Sequence, residues 1–337
     1  MKKINLIYFC FLPVFLLMLS CKKQNLSETV GPLQVPKIYT PEYYANLRAY
    51  KKTKHQLAFG WFGNSGGDGK TSEMGLRWES IPDSTDIASC WGGLPPLGSP
   101  QFEAMQKVRQ IKGTKVLMVK FSFDETLQYF GGEDFITKYA KGDEALLKKG
   151  FALVAKSMID TINYYQIDGF DFDHEPKGIL RDSKTFGLLI EEVSKYFGPK
   201  SGTDKLLFVD GEIGYLPAQY VDYIDYGVQQ LYGVTSPANL EKYFFEASRK
   251  PANLPNSKII IAESYEAEGG WQRGGPYPFI DPIRGTIPSI LGYAYWQPSK
   301  GGRKGGAGAY HAEYEYNSPV PYKYFRQMIQ IMNPAVK

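Results

Sequence analysis

Short runs of β-forming residues recur along residues 55–296, and stretches with helical character separate them. Several runs are continuously apolar, as parallel strands covered on both faces tend to be. Strand followed by helix, repeated along most of the chain, predicts one α/β domain with a (β/α)8 TIM-barrel fold. An open doubly wound sheet is the alternative, and the lack of a Gly-rich phosphate-binding sequence after the first run weighs against it. The predicted strands are His55–Phe62, Asp86–Trp91, Lys115–Phe121, Ile167–Asp173, Lys205–Asp210, Tyr226–Tyr232, Lys258–Glu263 and Ile290–Trp296.

Amphipathic helices are predicted over Glu144–Tyr164, Ser183–Phe197 and Tyr322–Met332, where apolar residues recur every three or four positions. Gly-rich tracts over residues 301–306 follow the last predicted strand, where the loops of a barrel would line a site. The predicted connection over residues 264–289 is too short for a small insertion domain between strands seven and eight. The sequence therefore predicts a single undivided body.

The N-terminal segment has the composition of a secretory signal. Two lysines precede an almost wholly apolar run over residues 4–19. The ending Met18-Leu-Ser-Cys21 resembles a bacterial lipobox, in which cleavage leaves Cys21 as a lipid-modified N-terminus. An ordinary signal peptide with an incidental cysteine is the alternative.

These features divide the chain into three parts. We predict a lipoprotein signal peptide over residues 1–20, lipidated Cys21 with a tether over residues 21–50, and the barrel over residues 51–337. The predicted location is the bacterial cell envelope, with a lipid anchor in the outer membrane and the membrane face left open.

Bulk charge argues against nucleic-acid binding, because 39 basic side chains nearly balance 35 acidic ones. Of the three cysteines, Cys10 lies in the predicted signal peptide and Cys21 at the predicted lipidation site, which leaves Cys90. One thiol cannot form an intramolecular disulfide, so the core must supply the stability of the domain. Aromatic residues make up 15% of the chain, which fits a sugar-binding cleft or a Tyr-rich core and surface.

Acidic residues alternate with phenylalanines along the fourth predicted strand, where residues 168–175 read Asp-Gly-Phe-Asp-Phe-Asp-His-Glu. Because side chains alternate across a strand, Asp171, Asp173 and Glu175 share one face. With the phenylalanines turned toward the helices, the three carboxyl groups line the barrel interior and rise toward its C-terminal mouth. At least one should stay protonated near neutral pH, which supplies a general acid beside a carboxylate. Acid-assisted cleavage of glycosides requires this combination.

The acidic run over residues 168–175 has two alternative interpretations, a solvated strand end and a binding site for a divalent cation. The alternating phenylalanines argue against a solvated end, and no further His or acidic cluster reinforces a metal site. Acid-assisted cleavage of glycosides requires no metal ion and no organic cofactor, so we predict neither. His174 is expected to point outward with the phenylalanines as a packed or hydrogen-bonded histidine.

The acidic run resembles the Asp-x-x-Asp-x-Asp-x-Glu signature of glycoside hydrolase family 18 and matches it at every fixed position, Gly169 included. Softer features are similar to the endo-β-N-acetylglucosaminidase branch of that family, which releases N-glycans from glycoproteins. They are Phe59–Gly63, Gln230–Tyr232, Trp296 at the end of the eighth predicted strand, and the tail over residues 322–334. The resemblance covers roughly residues 50–335.

The resemblance implies a role for each acid. Glu175 would donate a proton to the glycosidic oxygen, while the 2-acetamido oxygen of the substrate attacks the anomeric carbon and forms an oxazolinium ion. Asp173 would accept a hydrogen bond from the acetamide N–H group and offset the positive charge that develops on the sugar ring. Asp171 would share a proton with Asp173. Asp168 lies off the inward series and is expected to brace the strand.

The resemblance also implies contacts to the substrate. Tyr232 would bind the acetamide carbonyl group, with Gln230 on the same face, and Trp296 would form the floor under the distorted sugar. Further binding candidates are Phe59, Trp61, Trp91, Trp271 and Tyr277.

The predicted activity is hydrolysis of the β-1,4 bond in the N,N'-diacetylchitobiose core of N-glycans. Chitinases of the family often carry Ser-x-Gly-Gly on strand three, where this chain has Lys120-Phe-Ser-Phe123, so the endoglycosidase branch is favoured. A chitinase-type hydrolase of N-acetylglucosamine polymers and a non-catalytic glycan-binding lipoprotein are the alternatives. Non-catalytic relatives usually lose the terminal acid, which is present here as Glu175. The expected partners are N-linked glycans or glycoproteins, the membrane is reached through the lipid alone, and the expected state is a monomer.

Overall fold

The computed structural model of the protein describes residues 37–63, 77–122, 124–131 and 143–334, with residues 124, 125, 130 and 131 described by their backbone alone. The predicted signal peptide, Cys21 and the tether up to residue 36 lie outside these ranges. Within them, no helix combines the length and the hydropathy needed to cross a bilayer.

Parallel strands close into a barrel in the order β1-β10-β7-β6-β5-β4-β3-β2, which confirms the predicted (β/α)8 fold. Strands β8 and β9 form a separate antiparallel hairpin. The strands are β1 Leu57–Gly63, β2 Ile87–Trp91, β3 Lys115–Phe121, β4 Gly169–His174, β5 Leu206–Gly211, β6 Tyr226–Gln230, β7 Ile259–Ser264, β8 Pro278–Asp281, β9 Gly285–Pro288 and β10 Gly306–Tyr310.

Helices surround the barrel, and the longest lies at the predicted bounds, Glu144–Tyr164. It begins where Asp143 Oδ1 accepts hydrogen bonds from the N–H groups of Ala145 and Leu146, which satisfies free donors of its first turn. The described helices are α1 Pro41–Tyr50, α2 Pro100–Lys107, α3 Asp124–Gly131, α4 Glu144–Tyr164, α5 Ser183–Val193, α6 Pro237–Phe244, α7 Gly270–Arg273, α8 Ser289–Tyr295 and α9 Lys323–Met332.

The apolar core has two layers, one inside the barrel and one between the barrel and the helices. On β4, Phe170 and Phe172 are fully buried in the outer layer, and the ring of Phe172 lies edge-on to Phe186 of α5 at 6.2 Å. The alternate residues of β4 therefore face the barrel interior, as the alternation predicts. The inner layer comprises Phe59, Trp61, Ile87, Leu117, Val119, Phe208, Val228, Ile260 and Ala262.

The eighth barrel strand is Gly306–Tyr310, so the predicted strand over Ile290–Trp296 is wrong. That apolar run forms helix α8, and Trp296 caps its C-terminus. The Gly-rich tract lies before and within the true strand, not after it. A Cβ atom at Gly306 would lie 2.1 Å from the carbonyl oxygen of Leu57 on β1, so glycine permits the strands to approach.

Two predicted boundaries also need correction. The predicted tether over residues 21–50 extends too far, because α1 packs Tyr44 and Leu47 into buried positions and Arg48 Nη1 donates to the Ile111 carbonyl group at 2.7 Å. The connection from β7 to the true eighth strand runs over residues 265–305, and it holds the β8–β9 hairpin.

Gly169 begins the strand that carries the acids, and its place between strands leaves no room for a side chain. A Cβ atom there would lie 2.3 Å from the Leu206 carbonyl oxygen and 2.9 Å from Leu117 Cδ2. We expect Gly169→Ala to lower the free energy of unfolding by about 1–3 kcal/mol, since an overpacked barrel must shift its backbone. Urea unfolding measures the change, and an unaltered midpoint would contradict the close packing.

Candidate active site

Four carboxyl groups lie together inside the C-terminal half of the barrel. Asp171, Asp173 and Glu175 come from β4 and the residue just after it, and Asp210 comes from β5. Asp173 and Asp210 are register partners on neighbouring parallel strands, which places their side chains side by side. Asp171 and Asp210 are fully buried, whereas the side chain of Glu175 at the mouth is 45% exposed.

Asp171 is the deepest acid of the β4 series. Its Oδ2 atom accepts hydrogen bonds from Ser89 Oγ at 2.8 Å and from Trp61 Nε1 at 3.2 Å. Burial raises the pKa of Asp171 to about 7, and the charge of Asp173 contributes in the same direction. A proton can therefore reside on Asp171 near neutral pH.

Asp173 lies between Asp171 and Glu175, and its Oδ1 atom accepts a hydrogen bond from Gln230 Nε2 at 3.1 Å. Burial raises the pKa of Asp173, and the charge of Glu175 adds to the rise, while hydrogen bonds from Asp210 and Gln230 oppose it. Its carboxyl group lines a cavity of about 420 Å³.

Glu175 lines the same cavity and forms an ion pair with Lys177, whose Nζ lies 2.6 Å from Glu175 Oε2. A second, polar cavity of about 350 Å³ shares Glu175 and Gln230 with the first. Glu175 therefore lies between two cavities, within reach of groups bound in either of them.

Aromatic rings form much of the wall of the first cavity. Tyr232 and Tyr310 stack with their ring centres 5.8 Å apart, and Trp91 lies against Tyr310 at 5.3 Å. Such rings suit the apolar faces of a sugar. The cavity is lined by Trp61, Trp91, Gly92, Val119, Lys120, Phe121, Asp173, Glu175, Gln230, Tyr232 and Tyr310.

Tyr232 follows β6, and side chains of β7 and α8 hold the loop that carries it. Glu263 Oε1 accepts a hydrogen bond from the Gly233 N–H group at 2.7 Å, and the hydroxyl group of Tyr293 donates to the Leu231 carbonyl group. Although 37% of Tyr232 is exposed to solvent, burial around its hydroxyl group, together with the charges of Asp210 and Asp173, raises its pKa well above the usual range. The hydroxyl group therefore remains a hydrogen-bond donor.

The structure brings together most of the predicted site residues: Asp171, Asp173, Glu175, Gln230, Tyr232, Trp61 and Trp91. Phe59 lies beneath the site, fully buried and edge-on to Trp61 at 4.6 Å. The prediction that Phe59 contacts substrate is therefore wrong, and Phe59 instead packs against Trp61 from below.

The prediction that Trp296 forms the floor of the site is wrong. Trp296 is 8% exposed in the outer core, where it packs on Phe244 of α6. The eighth strand contributes Tyr310 instead, which sequence reasoning missed because that strand was misplaced. Trp271 is partly buried in the outer core, and Tyr277 is exposed outside the cavity.

Sequence reasoning also missed Asp210. The available signal was its position at the end of the fifth predicted strand, since the C-terminal ends of barrel strands meet at one mouth.

Asp168 lies at the opposite end of the barrel. It accepts hydrogen bonds from Arg109 Nε at 2.6 Å and from the Val116 N–H group at 3.1 Å, and it pairs with Lys115 at 3.1 Å. These contacts join β4 to β3 and support the predicted structural role. A cavity of about 460 Å³ at this end includes the same paired side chains.

His174 faces the outer layer, as predicted. Its Nδ1 atom lies 2.6 Å from Ser122 Oγ, its ring stacks on Phe186 at 3.8 Å, and burial lowers its pKa from 6.5 to about 4. The neutral ring therefore stabilises the fold above pH 6.5, and this contribution is lost as the pH falls toward 4.

In His174→Phe, the free energy of unfolding should depend less on pH. Between about pH 7 and pH 4 the difference from wild type should reach about 3 kcal/mol, because each unit of pKa shift corresponds to about 1.4 kcal/mol. Urea unfolding of both proteins across this range measures it. The lost bond to Ser122 lowers stability at every pH, so only the slope is diagnostic, and equal slopes would contradict a neutral buried ring.

No cluster of His, Cys, Asp and Glu suited to a metal ion occurs among the residues described.

The comparisons with known proteins agree on one family. The family model described as glycoside hydrolase family 18, BT1044-like, matches residues 21–331. Endo-β-N-acetylglucosaminidase F2 of Elizabethkingia meningoseptica is 26% identical over 353 residues, spanning 96% of this chain and 97% of the relative. A solved structure of BT1044 has a TM-score of 0.73 and 27% identity, covering 87% of this chain and 93% of that one. An endo-β-N-acetylglucosaminidase from Cordyceps militaris, solved without ligand, shares the fold with a TM-score of 0.64 and 23% identity, covering 89% and 98% of the two chains.

Proposed function

Since the chain belongs to glycoside hydrolase family 18, we propose that it is an endo-β-N-acetylglucosaminidase. It would hydrolyse the β-1,4 bond in the N,N'-diacetylchitobiose core of N-glycans and leave one N-acetylglucosamine on asparagine. The observation that carries the proposal is that Glu175, Asp173, Gln230 and Tyr232 line one aromatic cavity of about 420 Å³. The name of the Elizabethkingia relative supports the same activity.

In the first step, the acetamido oxygen of the sugar attacks its own anomeric carbon and forms the new C–O bond of an oxazolinium ion. The glycosidic C–O bond breaks, and the proton of Glu175 passes to the departing oxygen. Glu175 suits this role because it lies at the mouth and between two cavities, where the leaving N-acetylglucosamine can lie beyond it.

Asp173 would accept a hydrogen bond from the acetamide N–H group and face the positive charge of the oxazolinium ion. The ion develops in a buried place, where an opposite charge stabilises it strongly. Asp171 would hold the shared proton while Asp173 is ionised, which fits a pKa of about 7 for the deeper acid. The protonated Tyr232 hydroxyl group would donate to the acetamide oxygen and orient the attack.

In the second step, water attacks the anomeric carbon and gives a proton to the Glu175 carboxylate. The oxazolinium ring opens, and the acid is restored. Two displacements at one carbon retain its configuration. The balanced reaction consumes only water, so no metal ion or organic cofactor is needed as a co-reactant.

The test is incubation with a high-mannose glycoprotein, a complex-type glycoprotein and chitin oligomers, followed by mass spectrometry of the products. The expected result is released glycan ending in one N-acetylglucosamine, with one left on the protein. Cleavage of chitin oligomers alone would identify a chitinase-type hydrolase. Intact substrates with retained glycan binding would identify a non-catalytic binder.

We also propose that Cys21 carries lipid and anchors the monomeric enzyme in the bacterial outer membrane. The lipobox-like ending and the basic, polar residues after it support this proposal. Labelling of cells with a fatty-acid analogue should mark the wild type and not Cys21→Ser. Equal labelling of both proteins, or an unlabelled wild type, would overturn the anchor.

A further inference from the structure

Asp210 is a buried carboxylic acid at the centre of the site to which the mechanism above gives no role. It is fully buried at the end of β5 and is the register partner of Asp173. Gln230 Nε2 donates to both acids, at 2.7 Å to Asp210 Oδ1 and 3.1 Å to Asp173 Oδ1. One amide group therefore holds the two carboxyl groups in a fixed relation.

In the described part of the chain, the side chains that donate hydrogen bonds to Asp171, Asp173 and Asp210 are neutral: Trp61 and Ser89 for Asp171, and Gln230 for the other two. Asp171 Oδ1 and Asp210 Oδ2 are buried and receive no hydrogen bond from an N–H or hydroxyl group in the described part of the chain. Buried oxygens without donors are costly, and a proton held between carboxyl groups satisfies them.

We propose that Asp210 is a positioning residue that keeps its proton during the reaction and donates it to the Asp171–Asp173 pair. A neutral Asp210 then lets Asp173 carry the negative charge that faces the oxazolinium ion, without a second charge beside it. The inference rests on the proposed function, since it assigns a role within that reaction.

The surroundings of Asp210 favour its neutral form. The titratable groups that face it are Asp171 and Asp173 of β4 and the Tyr232 hydroxyl group after β6. Burial raises the pKa of Asp210 well above the usual range, and the charges of Asp173 and Asp171 raise it further.

Two substitutions test whether the hydrogen bonds of Asp210, rather than a negative charge on it, support the reaction. Asp210→Asn keeps an acceptor for Gln230 and places an N–H donor where the acid has O–H. Asp210→Ala removes both and should lower kcat by about 10- to 100-fold with little change in KM, because Asp210 does not line the substrate cavity. The conservative Asp210→Asn should have a kcat at least about tenfold higher than that of Asp210→Ala. The acid limb of its kcat-against-pH profile should coincide with that of the wild type.

Infrared spectroscopy tests the protonation state without any turnover. The difference spectrum between wild type and Asp210→Asn near pH 7 should show the C=O stretch of a neutral carboxylic acid. The matched control Asp222→Asn, at an exposed position outside the site, should remove a carboxylate band instead.

Loss of a carboxylate band in Asp210→Asn would overturn the inference, as would activity as low as that of Asp210→Ala. A shift of the acid limb to lower pH would do the same, because it would mean that a negative charge had been removed. If wild type cleaves no glycan, the proposed function fails, while the infrared result still decides whether Asp210 is neutral.

Discussion

Replacing Glu175 by Gln is expected to lower kcat by about 10²- to 10⁴-fold, because the departing oxygen then receives no proton. Glycan binding should persist, since the amide keeps the shape of the acid and the aromatic walls of the cavity are untouched. Turnover of a glycoprotein followed by mass spectrometry gives kcat, and calorimetry with the same substrate gives the affinity.

The matched control is Glu144→Gln, an exposed glutamate that pairs with Lys184 away from the site. It should retain wild-type turnover. Near-wild-type turnover by Glu175→Gln would show that another group is the acid, and loss of binding together with turnover would point to a disturbed fold.

Replacing Asp173 by Asn is expected to lower kcat by about 10²- to 10³-fold, the size of effect seen when one electrostatic contact to a transition state is removed. The oxazolinium ion loses its counter-charge, although the Asn side chain can still accept the hydrogen bond from Gln230. Steady-state kinetics on the same glycoprotein measures kcat and KM.

Asn has nearly the shape of Asp but no negative charge, so the size of the Asp173→Asn effect reports what the charge of Asp173 contributes. Asp222→Asn is the matched control for the substitution itself, and thermal unfolding checks the fold of both proteins. A loss below about threefold would mean that Asp173 does not face the developing charge, and the substrate-assisted mechanism would then need another counter-charge.

The residues of β4 show how far local pattern leads. Alternation of acids and phenylalanines predicts which side chains face the interior, and the positions of Phe170 and Asp171 confirm it. The long helix over Glu144–Tyr164 was equally predictable, because many apolar residues at one spacing leave little choice of structure.

The eighth strand shows where local pattern fails. Ile290–Trp296 is a short apolar run, and such runs suit a buried strand or a buried helix equally well. The true strand, Gly-Ala-Gly-Ala-Tyr over Gly306–Tyr310, has little intrinsic preference for β structure. It needs small residues because a Cβ atom at Gly308 would lie 2.3 Å from the Phe59 carbonyl oxygen.

By itself the sequence determined the barrel class and the inward row of acids on β4, and it led to the proposal that Glu175 is the proton donor. These depend on spacing within one segment, where the geometry of a strand or a helix leaves few choices. Only the tertiary structure decided that Asp210 lies beside Asp173 and that Tyr310 replaces Trp296 in the site. Such contacts depend on which strands become neighbours and in which register, and packing across the whole barrel sets both.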